Sequence, residues 1–445
     1  MTRPSVAVVG AGLTGGLLAC YLARRGYPVT LYERRADPRV ATAERGRSIN
    51  LALSERGIDA LRRIGLDKQV LADALPMRGR MVHPVHGEPG FQAYSIDGER
   101  AINSISRGAL NNALLDAAAA APGVTVRFEH KLTALDPSTG ELTFDTPGGP
   151  VTVRAGVILG ADGAGSVVRN QLAAYGGDGF TETLSFLDYG YKELSIPAVD
   201  GDFALDPGAL HIWPRGSSMM IALPNPDGSF TGTLFWPSSG SGSFDALSSR
   251  EEIESHFRAH YPDLLPLVPE LVDDYRHNPV GVLGTVRCAP WHAAGRVALI
   301  GDAAHAIVPF YGQGANCAFE DVVELDRCLD ETGDNWAEAL PEYEHRRREN
   351  TEAIARMALD NFVEMRDKVA SPVFRFGKSV EHALERALPG TYVSRYELVS
   401  FSTTPYAEVR RRVRRQHRIL GAVVAGTVAA LAAGVALLGR RGGAR

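Results

Sequence analysis

Near the start of the chain, Val6-Ala7-Val8-Val9 runs straight into Gly10-Ala11-Gly12-Leu13-Thr14-Gly15, and no other stretch restricts the possible fold as strongly. Residues 5–10 have the length and branched apolar content of a buried strand. Residues 14–25 place Leu17, Leu18, Tyr21 and Leu22 at helical spacing, with Gly26 as a stop. Residues 29–33 read as a second strand. Strand, glycine turn, helix and strand together build a parallel sheet, so the chain opens as an α/β, Rossmann-type lobe. Glycines let the backbone approach a pyrophosphate, and the helix N-terminus offers that anion free N–H groups and partial positive charge. Glu33 ends the second strand, where a carboxylate accepts ribose hydroxyls and repels a 2′-phosphate, which favours FAD or NAD over NADP at this position.

At 445 residues the chain exceeds what one core supports. Further strands are predicted at 124–128, 157–160 and 297–301. Residues 210–223 and 230–236 read as two long strands joined by Pro224-Asn225-Pro226-Asp227-Gly228, an antiparallel insertion. After Gln313 the pattern becomes helical, with residues 346–348 expected in an exposed stretch and 350–368 in a helix. The expected organisation is a discontinuous FAD-binding domain over 1–75, 104–178 and 288–340, and a substrate domain over 76–103 and 179–287. A C-terminal helical region follows over 341–418.

Residues 419–439 carry no charge over 21 positions, which at about 1.5 Å per residue matches a bilayer core of roughly 30 Å. Arginines at 410, 411, 412, 414, 415 and 418 precede this segment, against 440, 441 and 445 after it. The expectation is a terminal transmembrane helix contacting the lipid bilayer, with the catalytic body facing the cytoplasm. A buried or surface-lying helix is the competing reading. The net charge of −5 and pI near 6.2 leave no broad basic face, against a nucleic-acid partner. Cys20, Cys288, Cys317 and Cys328 form no metal-ligand spacing, so no metal is expected and the thiols should be free. No signal peptide is read at the N-terminus, so export is not expected.

Two further segments bear on the cofactor: Gly160-Ala161-Asp162-Gly163-Ala164-Gly165-Ser166 with Arg169, and Gly301-Asp302-Ala303-Ala304-His305, each after an apolar strand. Turn capping is the alternative reading for either acid alone. With the first glycine motif, their order and separation resemble the flavoprotein aromatic hydroxylases. The resemblance implies bound FAD at Gly10, Gly12, Leu13, Gly15, Glu33, Arg107, Asp162, Asp302, Gly314 and Asn316, with NADPH as a visiting co-substrate.

Within that group, several stretches resemble the kynurenine 3-monooxygenases. They are Gly46-Arg47-Ser48-Ile49-Asn50-Leu51-Ala52-Leu53-Ser54, Pro76-Met77-Arg78-Gly79-Arg80-Met81, His211-Ile212-Trp213-Pro214-Arg215, Met219-Met220-Ile221-Ala222-Leu223-Pro224-Asn225 and residues 301–321. This resemblance implies that Arg80 grips an amino-acid carboxylate, helped by Tyr94 and Tyr396, with Asn361 bordering the pocket. Leu210, Ile221, Phe235, Pro309, Phe310 and Met365 would line the ring, with core packing as their alternative. The local turn at Tyr94 is Ala-Tyr-Ser where the family has Pro-Tyr-Gly. Gln313 would contact the substrate or shape its loop, and His305 is expected to be structural. The implied reaction is C3 hydroxylation of L-kynurenine using NADPH and O2 through a flavin hydroperoxide, with no side chain acting as nucleophile. Three alternatives stay open: a hydroxylase or epoxidase of another aromatic or alkene, a membrane-tethered flavin-binding protein without turnover, and an FAD-dependent lipid reductase.

Overall fold

The computed structural model describes residues 3–40, 50–368, 371–388 and 390–422. Four apolar residues, Val6–Val9, form the centre of a six-stranded sheet. They pair in parallel with Val29–Tyr32 on one side and Val157–Gly160 on the other, and Val124–Arg127 and Val297–Leu299 extend the sheet outward. The strands are buried on both faces because helices cover both, and the helix Leu13–Arg24 buries nine of its twelve residues.

A seven-stranded sheet makes the other large layer. Residues 210–223 do not form one strand. They form a hairpin, Ala209–Pro214 against Met219–Pro224, which turns through Gly216 at φ +70°. The turn is marked in the sequence by Pro214-Arg215-Gly216-Ser217-Ser218, which separates the two apolar strands. Gly79–Val82 joins this sheet parallel to Ala209–Pro214, and so a short early segment carrying Arg80 lands beside residues more than a hundred positions later. Trp213, Phe230 and Trp236 pack the far face against the helices Arg250–His260 and Leu271–His277. The helix Trp336–Val363 crosses the 340/341 boundary expected above and reaches from the nucleotide-binding core to the second sheet, ending in a π-helical turn at Glu364–Lys368.

The arginines at 346–348 are not a uniformly exposed run. Successive helix positions turn by about 100°, and Arg347 is 3% exposed and bonded to Asp321 at 2.6 Å. Among the described residues no helix is long and apolar enough to cross a membrane. The expected span at 419–439 lies outside the described residues from 423 onward, and 406–422 is helical.

The second sheet also contains a buried polar chain. His83 bridges Asp263 at 2.8 Å and His211 at 2.9 Å, and His211 donates through Nε2 to the Asp206 carbonyl. Burial, chiefly, lowers the His211 pKa to about 4. The folded protein therefore keeps this ring neutral down to that pH, while the unfolded chain takes up a proton below about 6.5. Stability is full above 6.5 and declines as pH falls toward 4. From this group alone the protein should lose roughly 2 kcal/mol between pH 7 and pH 5, and His211→Gln should flatten that slope in urea unfolding.

Candidate active site

Two of the three glycines in the opening motif are required by the protein's own packing. Gly10 has φ +102° and a Cβ there would sit 2.5 Å from the Ala161 carbonyl oxygen, while a Cβ on Gly15 would strike the Gly10 carbonyl oxygen. Gly12 is different: it has φ −77°, and a Cβ would meet nothing within 4 Å. The helix that starts at Leu13 has no side-chain cap, so its first N–H groups face this open space. Gly314 repeats the arrangement, with nothing within 4 Å of a Cβ and an uncapped helix Gly314–Glu331 behind it. These two cradles fit the pyrophosphate and ring of a flavin dinucleotide. Glu33 stands at the strand end, and its carboxylate accepts the Ala11 N–H at 2.9 Å and the Arg35 N–H at 3.0 Å.

The acidic motif residues have different environments. Asp302 is exposed at the head of the helix Asp302–His305, and Arg107 is exposed at the start of Arg107–Ala120. Asp162 accepts from the Ser166 hydroxyl and from the N–H groups of Val167 (2.7 Å) and Val168 (3.2 Å), so its carboxylate caps the helix Val167–Gly176. Burial raises its pKa. Asn316 is likewise committed: it donates to the Ala52 and Gly312 carbonyls and accepts from the Ser54 N–H, which stitches two loops together. Both of its amide N–H groups are thereby spent on the protein.

Arg169 has a role that the sequence reading left unassigned. It donates to Ala164 O at 2.7 Å and Ala303 O at 2.9 Å, joining the two acidic-motif loops, and also reaches Glu182 at 2.5 Å. His305 bonds Asp321 at 2.6 Å. Burial pushes the Asp321 pKa up, but His305 and Arg347 outweigh it and hold the carboxyl below its usual range. Cys317 completes a set of three donor types within 4.8 Å. Arg347 already supplies the positive charge there, bonding both Asp321 and the Cys317 sulfur.

Arg80 sits on Gly79–Val82, 7% exposed, and its Nε has no hydrogen-bond partner. No carboxylate among the described residues lies within ion-pair distance of it. Its Cζ is 4.9 Å from the Tyr396 ring centre and 5.7 Å from that of Tyr94, and those two rings stack at 4.7 Å. Burial disfavours its charge, but Tyr396, Tyr94 and Glu364 more than offset this and raise its pKa. Asn361 is 2% exposed and donates to Phe310 O at 2.7 Å. Phe235, Phe310 and Met365 belong to one apolar cluster, which Leu210, Ile221 and Tyr396 join to a second cluster around Tyr94. Pro309 is exposed and stands outside both clusters. Gln313 is turned inward, accepting from Tyr406 at 2.8 Å. A groove of about 770 Å³ beside Arg287, Trp291 and His345 contains none of the residues expected to bind cofactor or substrate.

Residues 3–358 match the family described as FAD binding domain. The chain is 48% identical to kynurenine 3-monooxygenase of Stenotrophomonas maltophilia, covering 95% of this chain and 92% of that protein. It is also 48% identical to the Myxococcus xanthus enzyme of that name, covering 97% and 92%, and 43% identical to the Dictyostelium discoideum one, covering 95% and 93%. The chain belongs to the kynurenine 3-monooxygenase family. It is an FAD-dependent flavoprotein monooxygenase. The solved 2-methyl-3-hydroxypyridine-5-carboxylic acid oxygenase shares its fold, at TM-score 0.67 and 24% identity over 86% of this chain and 96% of that one. So does p-nitrophenol 4-monooxygenase of Pseudomonas putida, at 0.67 and 21% over 86% and 94%.

For this family member the glycine geometry predicts a split. Gly15→Ala should lose the fold, read as failure to yield soluble protein or a collapsed thermal transition. Gly12→Ala should leave the apoprotein's melting temperature within about 2 °C of the parent, since no protein atom is displaced. It should weaken FAD retention at least about tenfold, measured by flavin absorbance after gel filtration.

Proposed function

We propose that the chain hydroxylates L-kynurenine at C3, giving 3-hydroxykynurenine, with FAD bound and NADPH and O2 consumed. The observation that carries this reading is Arg80, 7% exposed, with its Nε unbonded, no carboxylate among the described residues within ion-pair distance, and the Tyr94 and Tyr396 rings beside it. A guanidinium out of water costs several kcal/mol unless a partner completes it. An amino-acid carboxylate is a planar match for its donors, and phenolic hydroxyls of Tyr94 and Tyr396 supply further ones. With the carboxylate held there, the aryl ring extends along Leu210, Ile221, Phe235, Phe310 and Met365, which position it and exclude water. Asn361, fixed by Phe310 O, presents its amide beside them. FAD supplies the redox chemistry when bound. No side chain is needed as a nucleophile, because an aniline ring is electron-rich at the carbon beside its nitrogen.

The remaining site assignments belong to the same reading. Gly10, Gly12, Leu13, Gly15, Glu33, Arg107, Asp302 and Gly314 hold FAD. Asp162 and Asn316 act one step back, as the cap and the stitch of the loops that touch it. The division into a discontinuous FAD domain, a substrate domain and a C-terminal helical region is supported by the separate cores of the parallel sheet and of the far face of the second sheet, while a third core joins residues of all three regions. Residues 419–439, uncharged and arginine-flanked, anchor the chain in a bilayer with the body on the cytoplasmic side.

The direct test is aerobic NADPH oxidation by the flavin-loaded protein with and without L-kynurenine, with chromatographic detection of product. Stoichiometric 3-hydroxykynurenine supports the proposal; kynurenine-stimulated NADPH loss yielding only peroxide points to another aromatic acid, and no response rejects the substrate. Arg80→Met should raise the KM for L-kynurenine by roughly 30- to 1,000-fold, the equivalent of about 2–4 kcal/mol of lost charge-assisted bonding, with FAD content unchanged. A KM within threefold of the parent would remove Arg80 from the site.

A further inference from the structure

The helix spanning 406–422 has two faces of opposite character. Tyr406, Ala407 and Val409 are buried, and Val413 packs beside them in the cluster that holds Ile354, Met357 and Leu398. Tyr406 donates to Gln313, its ring lies 3.9 Å from the Arg56 guanidinium carbon, and the Ala407 N–H donates to Asn350 at 3.0 Å. The first turns are therefore seated firmly on the body.

Arg411, Arg414, Arg415 and Arg418 are exposed on the other side. Their spacing of three, four and seven residues from 411 places them in one stripe along the helix. Arg411 pairs with Glu349 at 2.8 Å, both side chains being more than half exposed. Among the described residues no carboxylate lies within ion-pair distance of Arg414, Arg415 or Arg418. Glu408 is the single acid in 406–422. Arg410, on the flank, has its pKa lowered by burial and then by the charges of Arg414 and Arg356. Like charges at these spacings repel, and the protein supplies the stripe with almost no counter-charge.

We propose that this stripe docks on a lipid surface rich in anionic headgroups, with the arginines on headgroup phosphates. The inference rests on the reading of 419–439 as a membrane anchor. An acidic protein could also offer anions, but Arg418 is followed at once by the 21 uncharged residues, which sets the stripe at headgroup depth. Guanidinium pairs bidentately with phosphate, and each basic residue at an anionic surface strengthens binding about fivefold. Because Tyr406 ties the helix to Gln313, docking would also fix how the catalytic body sits on the membrane.

The test uses the full-length, FAD-loaded protein and vesicles of phosphatidylcholine alone or with a third phosphatidylglycerol. Binding should be tighter to the anionic vesicles and weaken with salt. The triple variant Arg414→Gln, Arg415→Gln, Arg418→Gln should bind them roughly a hundredfold more weakly. Its binding to neutral vesicles, its FAD content and its kynurenine turnover in detergent should be unchanged. Equal binding of the parent to both vesicle types, or a triple variant that binds like the parent, overturns the stripe and leaves the anchor standing. Binding to neither vesicle overturns the anchor, and the stripe with it.

Discussion

Asp321 has no exposed surface, yet three groups from two segments converge on it: the Gly301 N–H at 3.0 Å, His305 at 2.6 Å and Arg347 at 2.6 Å. A carboxylate without water is tolerated only when its lone pairs are filled and its charge is opposed, and here both conditions hold. The arrangement ties the end of Val297–Leu299 to the helices Gly314–Glu331 and Trp336–Val363. It thereby fixes the helix that carries Asp302 relative to the helix that carries Asn361, the two residues proposed above for cofactor and substrate.

The other buried guanidinium groups show what Arg80 lacks. Arg56 donates to Val399 O, Thr404 O and Glu320. Arg169 has three partners on three segments, and Arg347 bonds Asp321, Glu320 and Cys317. Each satisfies the rule that buried charge is paired and hydrogen-bonded. Arg80 departs from that rule at its Nε, as Arg215 does at Nη2, and it has the Tyr94 and Tyr396 rings beside it with no carboxylate among the described residues within ion-pair distance. Gly12 departs similarly from the packing that requires glycine at Gly10 and Gly15. Under the proposed function, a substrate carboxylate completes Arg80 and the FAD pyrophosphate fills the space at Gly12.

The parallel sheet was legible because its strands are short, apolar on both faces and bounded by glycine. The hairpin at 209–224 reads as one strand although Pro214-Arg215-Gly216-Ser217-Ser218 carries a turn signal, because the apolar residues on either side outweigh it. Arg347 was hidden by its neighbours: three arginines in a row suggest solvent until the helical turn separates them. Arg80, Tyr94, Asn361 and Tyr396 come from four distant stretches, and no local pattern brings them together; only family resemblance pointed to them. Asp162 and Asn316 show the limit of that resemblance. It pointed to the side chains as cofactor contacts, whereas both make hydrogen bonds that hold their own loops in shape.

The walls of the substrate pocket are secured in different ways. Arg80, Leu210, Ile221 and Phe235 lie on strands of one seven-stranded sheet, and Asn361 and Met365 on a helix fixed at its other end by Asp321. Tyr396 belongs to the six-residue helix Arg395–Ser400, which is held by part-exposed ion pairs, Arg395 with Glu364 and Arg100 with Glu397. Such pairs contribute about 1 kcal/mol or less each. The stacking of Tyr396 on Tyr94, with Tyr311 behind it at 6.1 Å, adds a comparable amount per contact. Leu398 and Val399 of the same helix are buried in the cluster with Ile354 and Met357, and Arg56 donates to Val399 O, so this helix is seated by its packing more than by its ion pairs.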